Sequence, residues 1–414
     1  MYKAILVGAN INNDQMMEYY MDELKNLALA SNVEVLYSMT QSVKSITPKF
    51  YIGSGKVEEI KTFIDNLEAD VVIFNNELSG SQIRNLEEAL GVRVVDRTLL
   101  IIDIFIRRAK TKEAMLQVEI AQLNYLKTRL VGMRTSLNRQ QGGIGSRGPG
   151  EKKLELDRRR IDHEIVKLNK ELVEIVKSRK IQRKNRNKSN IKKIAIVGYT
   201  NAGKSTLLNA LLEFTNKDQD KQVFVENMLF ATLETATRVI HLDNNKQFIL
   251  TDTVGFISNL PHSLVESFKS TLEEITEADY LIHVVDTSNI YHEDQIEVTN
   301  KTLEEIGVHD IETLYVYNKF DLLDRTTVPR HYPNAVVSLL TENGIDKVLT
   351  LIKENLFKDF AEVTLLIPYS EGELVSQLNE NYNIISQEYE NEGTKIVVEL
   401  NQAQKMKYEN YLIE

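Results

Sequence analysis

The sequence predicts an α/β protein built on a P-loop domain with a doubly wound sheet, accompanied by an N-terminal α/β domain, a long helical hairpin and a small C-terminal α+β domain. Three observations carry that expectation. Short apolar runs rich in β-branched residues alternate with helical stretches in two separate regions. A glycine-rich pattern, "GYTNAGKST", stands between one such run and a helix. Between the two regions lies a basic stretch whose apolar residues recur at helical spacing. At 414 residues the chain is long for one compact core, so several domains are expected.

Residues 1–106 hold the strand-like runs "KAILVG", "VEVLYS", "DVVIF" and "VRVVD", separated by helical stretches such as "MMEYYMDELKNLALA" and "SQIRNLEEAL". That order predicts the N-terminal α/β domain. Over 107–190 the pattern turns helical. Leu116, Ile120, Leu123, Leu126 and Leu130 line one predicted helix, and Leu154, Ile161, Ile165, Leu168, Leu172 and Ile175 line a second. Between them "QGGIGSRGPG" packs five glycines and a proline into ten residues, which no helix continues through, so the expectation is an antiparallel hairpin with a flexible basic tip. "KSRKIQRKNRNKSN" follows as a charged connector. Residues 191–358 carry the strands "KIAIVG", "QFILTD", "YLIHVVD", "TLYVYN" and "AVVSL" of the doubly wound domain. Residues 361–414 alternate strand, helix, strand, strand and helix, the small α+β domain.

Composition narrows the function classes. The chain has no cysteine, which excludes disulfides, thiolate zinc sites and cysteine nucleophiles. No apolar run approaches the roughly 18 residues needed to span a bilayer, and the N-terminus shows no signal-peptide core, so a cytoplasmic protein without stable membrane insertion is expected. The net charge of −10 hides a division: Arg107 to Lys193 contains 25 Lys and Arg against 9 Asp and Glu, net +16, leaving −26 elsewhere. A basic block in an acidic protein suits local polyanion binding, and a solvated helical face balanced by its neighbours is the plainer explanation.

Five stretches predict a nucleotide site. Gly198, Tyr199, Thr200, Asn201, Ala202, Gly203, Lys204, Ser205 and Thr206 form the P-loop, where glycines allow backbone N–H groups to curl round phosphates, Lys204 neutralises β and γ oxygens and Ser205 Oγ can ligate magnesium. Asp252, Thr253, Val254 and Gly255, "DTVG", end a strand; the carboxylate can hold magnesium through water and the Gly255 N–H can reach the γ-phosphate. Asn318, Lys319, Phe320 and Asp321, "NKFD", specify guanine. A carboxylate at Asp321 accepts from N1–H and N2–H, which adenine cannot satisfy, with Asn318 at the other edge of the base and Lys319 over its plane. Ser338, Leu339 and Leu340 end the next strand, where a backbone N–H can complete the guanine contacts. Thr232 in "FATLE", with Thr235 and Thr237 as rivals, is placed to complete magnesium coordination. Phe256 stands where a water-orienting glutamine is expected, so no catalytic residue is assigned.

With these motifs the chain resembles the HflX family of ribosome-associated GTPases over nearly its whole length. "GGIGSRGPGEKKLELDRRR", residues 142–160, is similar to that family's glycine-rich loop and following helix, and "YIGSGKVEEI" to its N-terminal signature. "FATLETATR" resembles its switch I, which implies Thr232 as the magnesium ligand beside Phe230, Ala231, Leu233 and Glu234. Lys152 and Lys153 depart from the family's usual Thr-Gln, and Leu339 from the usual alanine.

The resemblance implies a GTP phosphohydrolase; Mg2+ as its cofactor and a monomeric state are expected. It further implies binding to the large ribosomal subunit, rRNA and ribosomal proteins together, and dissociation or rescue of stalled or idle ribosomes under stress. It also implies that the ribosome supplies what Phe256 lacks, as in hydrophobic-substituted GTPases. Other readings are an RNA-remodelling ATPase acting through the N-terminal region, a ribosome-assembly GTPase and a nucleotide-controlled scaffold for a membrane or protein partner; "NKFD" argues against the first. Gly53, Gly55 and Lys56 in "GSGK" lack P-loop spacing, and a strand-to-helix turn explains them. His283, inside an apolar strand, is expected to be a core histidine. His163, His241, His262, His292, His309 and His331 form no metal-ligand spacing.

Overall fold

The computed structural model describes residues 1–137, 149–186, 191–215, 229–230, 235–242, 246–261, 264–265, 268–322 and 329–413. The hairpin tip and Ala231–Glu234, Thr232 included, lie outside the described residues, and so do the side chains of Lys152, Lys153 and Leu154. The chain divides into two compact units. The first is Met1–Arg186 with Glu226–Glu234 and Val254–Leu272; the second is Asn187–Val225, Thr235–Thr253 and Glu273–Glu414.

The first unit begins with β1 (Tyr2–Ile11), α1 (Met17–Ala30), β2 (Val33–Val43), α2 (Ser54–Leu67), β3 (Val71–Phe74), α3 (Gly80–Leu90), β4 (Arg93–Asp96) and α4 (Arg97–Arg108). Its four strands form a parallel sheet in the order β2-β1-β3-β4. Parallel pairing requires crossovers, so both sheet faces are covered, and all four residues of β3 are buried. The helix α4 was not among the sequence-predicted elements, because its run "LLIIDIFI" is short, Ile-rich and nearly all apolar, and such a run is not distinguished from a buried strand by its pattern alone.

Next come α5 (Lys112–Leu137) and α6 (Pro149–Arg186). The ion pairs Lys112–Glu171 and Lys127–Asp162 run in opposite senses along the two helices, which makes them antiparallel. Leu116, Ile120 and Leu168, with Leu123, Leu172 and Ile175, form their seam. Leu126, expected in that seam, is exposed, because α5 turns a second face, Tyr125 and Arg129, inward. Helix α6 also continues to Arg186, through residues expected as connector; Lys and Arg are good helix formers, and neither Gly nor Pro interrupts them.

Chain order continues with β5 (Lys192–Val197), α7 (Lys204–Thr215), β6 (Ala236–His241), β7 (Gln247–Asp252), α8 (Lys269–Thr276), β8 (Tyr280–Asp286), α9 (His292–Glu305), β9 (Thr313–Asn318), β10 (Asn334–Val336) and α10 (Glu342–Leu356). The sheet of the second unit runs β10-β9-β8-β5-β7-β6, parallel except for β6 against β7. Leu207, Leu208 and Leu211 of α7 and Val348 and Ile352 of α10 share one core, while Ile296 of α9 packs with Val285 and Tyr317 in a separate cluster. The edge strand β6 has one buried residue, Ile240, and so left little trace in the sequence. The remaining elements, β11 (Ala361–Ile367), α11 (Gly372–Asn381), β12 (Ile384–Glu390), β13 (Gly393–Leu400) and α12 (Gln402–Lys407), build an antiparallel sheet β11-β13-β12 with its own core.

His283 of β8 is buried against Tyr315, and burial pushes its pKa down to about 3, with the His331 and Lys204 charges acting in the same direction. The folded imidazole therefore stays neutral where the unfolded one takes a proton, near pH 6.5. Stability is complete above that pH and declines as pH falls towards 3, by about 1.4 kcal/mol per pH unit at most. His283→Phe is expected to flatten the pH dependence of unfolding between pH 6 and 4 by about that slope, as measured by denaturant titration.

Candidate nucleotide site

The second unit assembles most of the predicted motifs at the C-terminal ends of its parallel strands, where ligands of open α/β sheets bind. From β5 the chain enters the loop Gly198–Gly203 and then α7, which starts at Lys204. Two glycines are required by space as well as by backbone. Gly198 has φ +141°, and a Cβ there would lie 2.3 Å from the Val284 carbonyl oxygen. Gly203 has φ +106°, and its Cβ would lie 2.4 Å from Asn318 Nδ2. Asn201 takes the left-handed conformation between them.

Lys204 is buried and donates to the carbonyl oxygens of Gly198 (3.1 Å) and Tyr199 (2.8 Å). Burial pushes its pKa down to about 8, against the Asp252 carboxylate, which holds it up. Ser205 Oγ donates to Asp252 Oδ2 at 2.6 Å, the latter fully buried at the end of β7. A hydroxyl and a carboxylate so close form an all-oxygen donor set, which suits a hard divalent cation such as Mg2+. Thr253 Oγ1 donates to the Ile196 carbonyl (2.6 Å), tying the start of the DTVG loop to β5.

The NKFD segment follows β9. Asn318 Nδ2 donates to the Ala202 carbonyl (3.0 Å), and its Oδ1 accepts from the Leu339 N–H (3.1 Å). The expectation put Asn318 at the edge of the base; in the structure both its amide atoms join the P-loop to the Ser338–Leu340 loop. The Leu339 N–H is engaged in the same link, and Leu340 is exposed. Lys319, left-handed at φ +62°, forms an ion pair with Asp286 Oδ2 at 2.6 Å. Phe320 and Asp321 lie in the short 3-10 turn Phe320–Leu322 and are exposed. Sequence reading missed Asp286 and Thr287, whose Oγ1 donates to the Asn318 carbonyl (2.6 Å). Their signal was available: "VVDT" ends an apolar strand with a polar pair, as "LTDT" does.

In the first unit, Phe230, Val254, Phe256 and Ile257 are buried. Phe256 therefore presents an apolar ring to the protein interior. Gly53 N–H donates to Gln41 Oε1 (2.9 Å) just ahead of α2, and Lys56 pairs with Glu59 (2.9 Å), so the "GSGK" groups have local partners. Among the described residues no three His, Cys, Asp or Glu cluster as metal ligands, and no helix is long and apolar enough to cross a membrane.

Comparison with known proteins decides the family. A model of the GTP-binding GTPase N-terminal region matches residues 18–106, one of the GTP-binding GTPase middle region 108–186, and one of the 50S ribosome-binding GTPase 193–319. The GTPase HflX of Caldanaerobacter subterraneus subsp. tengcongensis is 46% identical over 99% of this chain and 94% of its own. The chain belongs to the HflX family of GTPases. The GTPase HflX of Escherichia coli is 41% identical over 95% of this chain and 92% of its own. Among solved structures, a GTP-binding protein of Sulfolobus solfataricus in complex with GDP is 27% identical, covering 86% of this chain and 89% of that one, with a TM-score of 0.44. As an HflX GTPase the protein is a GTP hydrolase with a ribosome-binding GTPase domain.

The buried link through Asn318 yields a test. Asn318→Ala leaves the Leu339 N–H and the Ala202 carbonyl without their partner, at about 1–3 kcal/mol, and GDP affinity measured by calorimetry is expected to fall by about tenfold or more. Asn318→Asp, which accepts from Leu339 but cannot donate to Ala202, is expected to be no better; wild-type affinity in either variant contradicts the linking role.

Proposed function

We propose that this HflX GTPase binds the large ribosomal subunit, hydrolyses GTP to GDP and phosphate at a rate the ribosome raises, and thereby dissociates or rescues stalled or idle ribosomes under stress. It acts as a cytoplasmic monomer. The observation that carries the reading is the match of residues 193–319 to the 50S ribosome-binding GTPase model, joined in one chain to a basic helical hairpin. We divide the chain into a domain of residues 1–106, the hairpin 107–190, the GTPase domain 191–358 and the C-terminal domain 361–414.

Charge along the hairpin supports a particular mode of engagement. Residues 155–178 carry six basic and six acidic side chains, many paired, as in Arg159–Glu155 (2.8 Å) and Lys167–Glu164 (3.1 Å). The excess lies at the ends: net +4 over 131–154, and +3 over 107–110 with +6 over 179–190. RNA phosphate would therefore meet the tip and the base of the hairpin, while the shaft is close to neutral.

At the nucleotide, the P-loop N–H groups and Lys204 hold the phosphates, Gly255 and Thr232 support the γ-phosphate, and Asp321 reads guanine. Ser205 and Thr232 would hold Mg2+, with Asp252 behind them; the ion supplies positive charge against the β- and γ-phosphates. Phe256 cannot hydrogen-bond a water, so intrinsic turnover is slow and the ribosome orders the loop or supplies a missing group.

Two experiments test this. GTP turnover with purified large subunits is expected to exceed turnover without them by about tenfold or more, falling with salt; equal rates end the ribosome-stimulated reading. Sedimentation of intact ribosomes with a non-hydrolysable GTP analogue distinguishes dissociation from mere binding. For the base, Asp321→Asn exchanges an acceptor for a donor and is expected to move preference from GTP to xanthosine triphosphate by about 100-fold, read by competition binding. Unchanged preference would remove Asp321 from the guanine contacts.

A further inference from the structure

The junction of β4 and α4 places two charged side chains, Asp96 and Arg97, back to back in the first unit, each buried and each gripping a different segment of the chain. Asp96 faces the hairpin. Its Oδ1 accepts from the Tyr125 hydroxyl (3.0 Å) and the Leu99 N–H (2.9 Å), and its Oδ2 from Arg129 Nη2 (2.6 Å) and the Leu78 N–H (3.2 Å). The Arg129 guanidinium also stacks on the Tyr125 ring, 3.5 Å from its centroid. Burial and the neighbouring carboxylate push the Tyr125 hydroxyl up, so it remains a donor. Both hairpin residues belong to α5.

Arg97 faces the segment that follows DTVG. Its Nη2 donates to the Ser258 carbonyl (2.9 Å) and to Glu23 of α1, and its Nη1 to Asn75 Oδ1 (2.9 Å). Ser258 lies three residues after Gly255. Two turns further along α4, the Phe105 ring meets Phe230 and Phe268 edge-on, each with centroids 4.8 Å apart. One short helix thus contacts the segment ahead of Thr232 through Phe105 and the segment after Gly255 through both Arg97 and Phe105.

We propose that the Asp96–Arg97 step is the joint through which the hairpin sets the position of the loop after DTVG, with Arg97 as a positioning residue for hydrolysis. Adjacent Cα atoms are about 3.8 Å apart and the peptide between them is planar, so a displacement arriving at Tyr125 and Arg129 has little slack before it reaches the Ser258 carbonyl. Neither grip can slip freely, since letting go strands a buried charge. A rigid helix carrying two buried grips is the kind of element whose position two sites can bias together.

The turnover arm of the test rests on the ribosome-stimulated reading; the exchange arm does not. Full-length wild type, Arg97→Ala, Arg97→Lys and the isosteric Tyr125→Phe are compared by amide hydrogen exchange of α5 with GDP and with a non-hydrolysable GTP analogue. In wild type, α5 protection around Tyr125 and Arg129 is expected to differ between the nucleotides. In Arg97→Ala and Tyr125→Phe that difference shrinks by about fivefold or more, and in Arg97→Lys by less, because the ammonium keeps the charge beside Glu23 though it lacks the planar fork that reaches all three acceptors. With large subunits, stimulated kcat falls by about fivefold or more in the same variants while KM for GTP stays within about twofold. Tyr125→Phe serves where Arg97→Ala does not fold. Loss of nucleotide-dependent exchange in the variants without any ribosomal stimulation of wild type would keep the joint and discard the ribosomal reading. Exchange that ignores nucleotide in wild type, or follows it equally in all four proteins, overturns the joint.

Discussion

A carboxylate wholly withdrawn from water organises the first unit. Asp96 has no exposed surface, and an isolated charge there would be untenable, so the fold delivers four donors to it from α4, from α5 and from the segment ahead of α3. That demand fixes where α5 can lie. It also explains a close approach: a Cβ at Gly80 would stand 2.2 Å from the Arg129 carbonyl oxygen, so the start of α3 must be glycine for α5 to come near enough for Arg129 to reach Asp96. Asp96 caps α4 through the Leu99 N–H as well, so helix start, sheet end and hairpin anchorage meet at one side chain.

The second unit solves a comparable problem with neutral groups. Asn318 bonds the P-loop through the Ala202 carbonyl and the Ser338–Leu340 loop through the Leu339 N–H. Its nearness to Gly203 is possible because residue 203 has no Cβ. The Gly198–Gly203 loop and the Ser338–Leu340 loop are therefore held in register by bonds within the protein. Lys319–Asp286 adds a second tie from the NKFD segment to β8. Preorganisation of this kind lowers the ordering cost of binding.

Charge placement also separates anchoring from recognition. The hairpin shaft spends its charges on internal pairs at low individual value, while positive excess gathers at its two ends. The Lys112–Glu171 and Lys127–Asp162 pairs tie one helix to the other along the shaft. A near-neutral shaft between positive ends confines attraction for a polyanion to those ends.

The nucleotide motifs were legible in the sequence because phosphate and guanine recognition rely on local patterns: consecutive residues in a strand-to-helix turn, or four residues after a strand. The parallel sheets and the helical hairpin were legible because burial leaves periodic traces over many residues. Helix α4 and strand β6 were not, the first because its short Ile-rich run reads equally as a buried strand and the second because it has one buried residue on a sheet edge. Nor were the roles of Asn318, Asp96 and Arg97, since apart from the Leu99 cap of Asp96 their partners stand between 18 and 161 residues away in the chain. Local chemistry is written in neighbours along the chain and could be read there; the pairing of a buried charge with distant donors exists only once the chain has folded, because only then do those groups share a space without water.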